Sequence, residues 1–333
     1  MKLLRVGTAG AERPALLDAG GVLRDLSALV DDIDGALLAD DAALARIRAA
    51  EAAGELPVLP VLPAPPAAGA AGATDTASAR AASDAGGTPQ APDTPGALDA
   101  PDAPHAPYAP GPRIGPPLAR IGKIVCIGLN YHDHARETGA EPPAEPVVFL
   151  KAPDTVVGPN DTVLVPRGSV KTDWEVELAV VIGRTARYLE SAEQALAHVA
   201  GYTVAHDVSE REFQAERGGT WDKGKNCETF SPLGPWLVTA DEVPDPQRLS
   251  LRLWVNGELK QDGSTAGQIF PVGEVVRYVS RFMTLYPGDV INTGTPAGVA
   301  LGHPEPKPYL RAGDVVELEV EGLGRQRQEF ADA

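Results

Sequence analysis

Asp173-Trp174-Glu175-Val176-Glu177-Leu178-Ala179-Val180-Val181-Ile182 is the stretch on which both the fold and the chemistry turn. Its apolar, β-branched second half predicts a buried strand. A strand sends alternate side chains to one face, so Glu175 and Glu177 are expected side by side. Two carboxylates then share one small volume. They can take up a proton, reach water or a Lys/Arg partner, or hold a divalent cation that turns repulsion into binding. Taken alone, glutamates at alternate positions of a half-exposed strand are ordinarily its wet face.

The bulk numbers narrow the field. A chain of 333 residues can bury a full core without disulfides or a structural metal. With 29 basic against 46 acidic residues its formal charge is −17, which speaks against nucleic acid or an anionic membrane as partner. Cys126 and Cys227 are the only cysteines and have no CxxC spacing, which suits a reducing compartment. Glu12, Arg13 and Asp18 interrupt the N-terminus, and no apolar run approaches the roughly 20 residues of a membrane span. A cytoplasmic protein is expected.

Residues 1–63 read as a small N-terminal αβ module. A strand at 3–6 precedes a hairpin of 16–18 and 22–24 around Gly20-Gly21, and a helix over 42–52 is capped by Asp40 or Asp41 and stopped by Gly54. Residues 64–112 collapse into Ala, Pro, Gly, Asp and Thr, predicting a disordered acidic linker. The main domain spans 113–333. Strands are expected at 123–129, 147–150, 202–204, 251–255, 258–261, 290–292 and 315–320, with Asn256-Gly257 as a tight hairpin turn. Ser191 with Gln194 opens a helix expected to run to Gly201, and Val275, Val276, Val279, Phe282 and Met283 follow a helical period. Strands outnumber helices without regular crossovers, and there is no GxGxxG, P-loop or internal repeat. The reading is a β-rich α+β domain, not a doubly wound parallel sheet.

Four features could meet in that domain: His134 with Glu137, the glutamate pair, Asp207 at the end of a strand, and Lys225 in Gly224-Lys225-Asn226-Cys227. His134 and Glu137 stand three apart, so on a helix the carboxylate can orient the imidazole as a general base requires. An isolated pair of this kind is more often a surface histidine with a helical neighbour, and His132 carries that reading only.

From Lys123 onward the sequence resembles the fumarylacetoacetate hydrolase family. The likeness rests on Gly128-Leu129-Asn130-Tyr131 with His134 and Glu137, Phe149-Leu150-Lys151, the Asp173–Leu178 motif, Gly201-Tyr202-Thr203-Val204 leading to Asp207, Gly224-Lys225, Pro287-Gly288-Asp289 and Thr293-Gly294-Thr295-Pro296. The N-terminal module is similar to the small domain that precedes the core in many members, whereas 64–112 has no counterpart. The resemblance implies a mixed β-roll core, a homodimer, and Mg²⁺ or Mn²⁺ at Glu175, Glu177 and Asp207, with Ca²⁺ able to replace them in a crystal. It implies His134, Glu137 and Lys225 as catalytic residues and Lys151, Gln214 and Thr295 as substrate contacts. His206 stands where Asn is frequent, and Asn226-Cys227 where Ser-Phe is frequent. The second departure is similar to members acting on 2,4-diketo-3-deoxy sugar acids.

The expected activity is hydrolysis of a carbon–carbon bond in a 2,4-diketo acid, an acylpyruvate or a sugar-derived one, to pyruvate and a carboxylic acid. The metal would chelate the carboxylate and 2-oxo group, His134 would activate water, and Lys225 with Gln214 would steady the oxyanion. An isomerase or decarboxylase of hydroxymuconate type, or a ureidoglycolate lyase, would keep the same ligands, and retention of the His-Glu pair favours hydrolysis. A non-catalytic metal-binding protein is the remote alternative.

Overall fold

In the computed structural model, which describes residues 1–59 and 111–333, the Val176–Ile182 strand lies inside a ten-stranded sheet between Val199–His206 and Val290–Asn292. The sheet continues on one side through Ile124–Gly128 to Val147–Lys151. On the other it runs through Ser231–Thr239 to Lys2–Val6, Arg13–Leu17 and Leu23–Asp25. A second, five-stranded sheet is ordered Glu258–Ser264, Ser250–Val255, Val315–Val320, Gly324–Asp332, Val163–Val165. Antiparallel pairing dominates and the helices are few and short, which is the strand-rich α+β architecture expected.

Both faces of Val176–Ile182 are dry. Val176, Leu178, Val180 and Ile182 pack against Leu251, Leu253, Val316 and Leu318 of the smaller sheet. Ala179 and Val181, on the face that also carries Glu177, are covered by a cluster containing Leu3, Leu37, Ile47 and Leu233. Among the N-terminal residues Leu4, Val6, Ala15 and Leu59 form a small cluster of their own, while Leu3, Leu16, Leu37 and Ile47 share the cluster that covers the main sheet. Lys2 and Leu3 pair with Val238 and Leu237, so the expected module at 1–63 is continuous with the main sheet. Its burial of apolar side chains, at about 25 cal/mol per Å², is what keeps solvent from the glutamate face. All but the last two residues of the expected linker at 64–112 lie outside the described residues.

Local signals hold where turn or cap chemistry is strong. Asn256 and Gly257 take φ of 52° and 80° in their hairpin, and Asp40 caps Asp41–Ala52 by accepting from the amides of Ala42 and Ala43. The helix expected from Ser191 to Gly201 stops at Leu196, because Val199–His206 is recruited as a strand. Gly201 belongs to that strand, where a Cβ would stand 2.1 Å from the Val238 carbonyl oxygen. Phe282, expected on a buried helical stripe, is 65% exposed, since the helix ends at Val279. Two strands have no clear apolar signature. Gly324–Asp332 turns Gln326 and Gln328 inward, where they bond to Val204 O, Gly234 O and His206 Nδ1. Ser231–Thr239 carries two prolines.

Gly201→Ala is expected to cost about 2–4 kcal/mol of unfolding free energy, because the added methyl has backbone rather than a flexible side chain in its way. Urea denaturation of the two proteins measures it.

Candidate active site

Asp207 reaches the glutamates through strand register. Ala205 pairs with Glu177 and His206 with Val176, so Asp207 falls opposite Glu175, whose carbonyl accepts its amide at 3.0 Å. One carboxylate oxygen from each of Glu175, Glu177 and Asp207 lies within 4.8 Å of the others, and all three residues are buried. The expected metal ligands are thus brought together.

Three cations surround them. Lys225 ends the short helix Asp222–Lys225 and places Nζ 2.7 Å from Glu175 Oε2 and 2.9 Å from Asp207 Oδ2. That helix can approach because residue 224 is glycine: a Cβ there would meet the Glu210 carbonyl oxygen at 2.3 Å. Lys151 Nζ binds Asp207 Oδ1 and donates to the carbonyls of Val208 and Phe230 at 3.1 and 2.7 Å. Arg211 donates through Nε to Asp173 at 2.8 Å and sets Nη2 2.7 Å from Glu175 Oε1, an ionic contact rather than an aligned hydrogen bond.

The charges resolve unequally. Burial works to raise the Glu175 pKa, yet Lys225 and Arg211 outweigh it and hold this carboxyl far below the usual range. Glu177 goes the other way, pushed well up by burial and then by Asp207 and Glu175. Its contact to protein is one hydrogen bond, from the Gly294 amide at 2.7 Å. Burial also works against a charged Lys225, but Asp207 and Glu175 lift its pKa overall, so it remains an ammonium. With Asp173 the site holds four carboxylates against three cations, and the clustered oxygens of Glu175, Glu177 and Asp207 are hard donors that could hold a divalent cation.

His134 lies on the helix His132–Glu137 as expected, its Nδ1 2.8 Å from Glu137 Oε1. A carboxylate at Nδ1 puts the proton there and leaves the Nε2 lone pair as the base. Glu137 is itself held, its Oε2 accepting from the Gly298 amide at 2.9 Å. His134 and the paired glutamates line one cavity of about 350 Å³ together with Lys225, Gln214 and Thr295.

Of the expected substrate contacts, Gln214 faces this cavity and its Oε1 accepts from Arg211 Nη1 at 3.1 Å. Thr295 also lines it, though its hydroxyl donates to the Val176 carbonyl and accepts from Gln261, which makes it a pin for the glutamate strand. Lys151 does not line the cavity. It is 1% exposed behind Asp207, its ammonium bound to that carboxylate and two carbonyls.

Two residues in the site are given no role by the sequence reading. Arg211 links Asp173 to Glu175, and its spacing of three from Gln214 could have suggested it. Asp173 is wholly buried and accepts from the amides of Ala300 and Leu301 at 2.7 and 3.0 Å, binding the loop over the cavity to the strand of the glutamates.

The model of the fumarylacetoacetate hydrolase C-terminal domain matches residues 123–331. A Burkholderia lata relative, provisionally named a hydrolase, is 47% identical, with 100% of both chains covered. The solved fumarylacetoacetate hydrolase of Exiguobacterium antarcticum is 31% identical at a TM-score of 0.72, with all of both chains covered. The 2-hydroxyhepta-2,4-diene-1,7-dioate isomerase of Mycobacterium marinum is 39% identical over 67% of this chain and 79% of that one, at 0.58. A maleylpyruvate hydrolase of Sphingobium, solved with manganese(II) and pyruvate, is 25% identical over the whole of both chains at 0.69.

A pH-linked metal affinity follows from the unequal carboxyls. Burial, Asp207 and Glu175 raise the Glu177 pKa, so a divalent cation entering the cluster competes with a proton there and is expected to bind more tightly as pH rises. Calorimetry of Mn²⁺ binding across a pH series is expected to show affinity rising with pH in the parent and a weaker pH dependence in Glu177→Gln.

Proposed function

The chain belongs to the fumarylacetoacetate hydrolase family, and from that premise we propose that it is a divalent-metal-dependent hydrolase cleaving a carbon–carbon bond of a 2,4-diketo acid. The observation that carries this reading is His134, held by Glu137 at 2.8 Å, facing the same cavity as Glu175 and Glu177, against which Asp207 is buried. No helix among the described residues is long and apolar enough to cross a membrane, which agrees with a small water-borne substrate.

A divalent ion held by Glu175, Glu177 and Asp207 would supply the Lewis acidity that binds the carboxylate and 2-oxo group of such an acid and favours its enolate. His134 Nε2 takes a proton from water as the oxygen bonds to the C4 carbonyl carbon. Glu137 holds the imidazole in the needed tautomer and stabilises the imidazolium. Lys225, kept protonated, donates to the oxyanion, with the Gln214 amide beside it. As the C4 carbonyl re-forms, the C3–C4 bond breaks with its electron pair going to C3. The proton held by His134 returns to the product side, leaving a carboxylic acid and pyruvate.

Isomerisation is the second reading, favoured by the 39% identity to the Mycobacterium marinum isomerase. A tautomer shift moves a proton between carbons and activates no water. An imidazole buttressed by a carboxylate is the equipment of the hydrolytic route, and it is present here.

His134→Ala is expected to lower pyruvate release from a 2,4-diketo acid by about 10²–10⁴-fold while Mn²⁺ affinity stays within about twofold of the parent. Glu175→Ala should lose the metal first. A His134 variant that loses Mn²⁺ affinity, or a parent that shifts the absorbance of its substrate without releasing pyruvate, contradicts the hydrolytic reading.

A further inference from the structure

Lys171, Glu216, Glu305 and Lys307 also line the cavity, whose two remaining walls are unlike. One carries the carboxylates, Lys225 and Arg211. The other is apolar and aromatic, built from Phe149 and Trp221 with Ile127 and Leu129 beside them. The two rings meet edge to face, with centroids 5.5 Å apart and planes at 63°. Trp221 can lie there because residue 128 has no side chain. A Cβ on Gly128 would stand 2.3 Å from Trp221 Cζ3, against a ring that backbone and Phe149 hold in place. The aromatic wall also begins at the chemistry. Lys225 Nζ, which touches Glu175 and Asp207, sits 5.1 Å over the Phe149 ring. A keto acid anchored at Glu175 and Glu177 would have this wall beside it.

We infer that Trp221, seated by Gly128, forms with Phe149 an aromatic shelf for the acyl end of the substrate and selects apolar, planar acyl groups over polyhydroxylated ones. The inference rests on the proposed reading of a 2-oxo acid at Glu175, Glu177 and Asp207. Its physical ground is the chemistry of the wall. Ring carbons offer a sugar-like chain no partner for hydroxyls that must shed water, whereas an aryl or unsaturated chain exchanges water for ring contact. This reading runs against the sugar-derived diketo acids that Asn226-Cys227 bring to mind.

The test is binding of non-cleavable 2-oxo acids to the Mn²⁺-loaded protein by calorimetry. 2-Oxo-4-phenylbutanoate is expected to bind about tenfold or more tightly than 2-oxobutanoate, and 2-oxo-3-deoxygluconate no more tightly than 2-oxobutanoate. Trp221→Ala and Gly128→Ala should each bring the phenyl preference below about threefold, and Trp221→Phe should keep most of it. Equal affinities in the parent, tighter binding of the polyhydroxy acid, no binding of any of the three, or an undiminished phenyl preference in Trp221→Ala each overturn the shelf. Pyruvate release from benzoylpyruvate and acetylpyruvate, measured alongside, separates the two claims. Absence of release with the phenyl preference intact refutes the hydrolase and leaves the shelf standing. Release from both with no preference in binding does the reverse.

Discussion

The structure depends on keeping three buried carboxylates together beside the cavity. Such a cluster stands only if its charge is met from within, and each counter-charge comes from a different part of the chain. Lys151 arrives on an edge strand, Lys225 on a four-residue helix, and Arg211 on the turn after Asp207. With Asp173 included, four carboxylates face three cations, so the site retains negative charge that a proton on Glu177 or a bound cation must cancel. Removing one partner of such a buried set leaves the others uncompensated, which is why the lysines and the arginine are as much part of the fold as of the site.

The same economy joins the two halves of the chemistry. The loop at 298–302 gives its first amide to Glu137 and two more to Asp173. Glu137 orients the His134 imidazole, and Asp173 holds Arg211 against Glu175. A single backbone segment thus sets the distance between the imidazole and the carboxylate cluster. Gly302 keeps that segment close, for a Cβ at this position would fall 2.3 Å from Glu137 Oε2. Preorganisation here is done by backbone amides, which cannot rotate away as side chains can.

Much of the site was legible because its signals are local. Alternating glutamates declare a shared face, and a carboxylate three residues from a histidine declares a helical pair. Asn256-Gly257 and Asp40 mark a turn and a cap through conformations that few residues accept. What escaped is set by contacts distant in sequence. Gly201 reads as a helix stop until the Val238 carbonyl is seen against it, and nothing in the sequence near Lys151 announces that its ammonium binds Asp207 and two carbonyls. The inward Gln326 and Gln328 hide a nine-residue strand because their partners are another strand's carbonyls and His206. Gly128 carries no signal of its own, and its meaning lies wholly in the indole that occupies its missing side chain.

The fold and family follow from the strands and the matched domain, whereas the proposed chemistry turns on whether the buried acidic cluster takes an ion. Diffraction at the manganese absorption edge from crystals grown with Mn²⁺ measures this directly. The account predicts one strong anomalous peak, with oxygens of Glu175, Glu177 and Asp207 about 2.0–2.4 Å away. A peak bound elsewhere, or none among these three residues at saturating Mn²⁺, would contradict it.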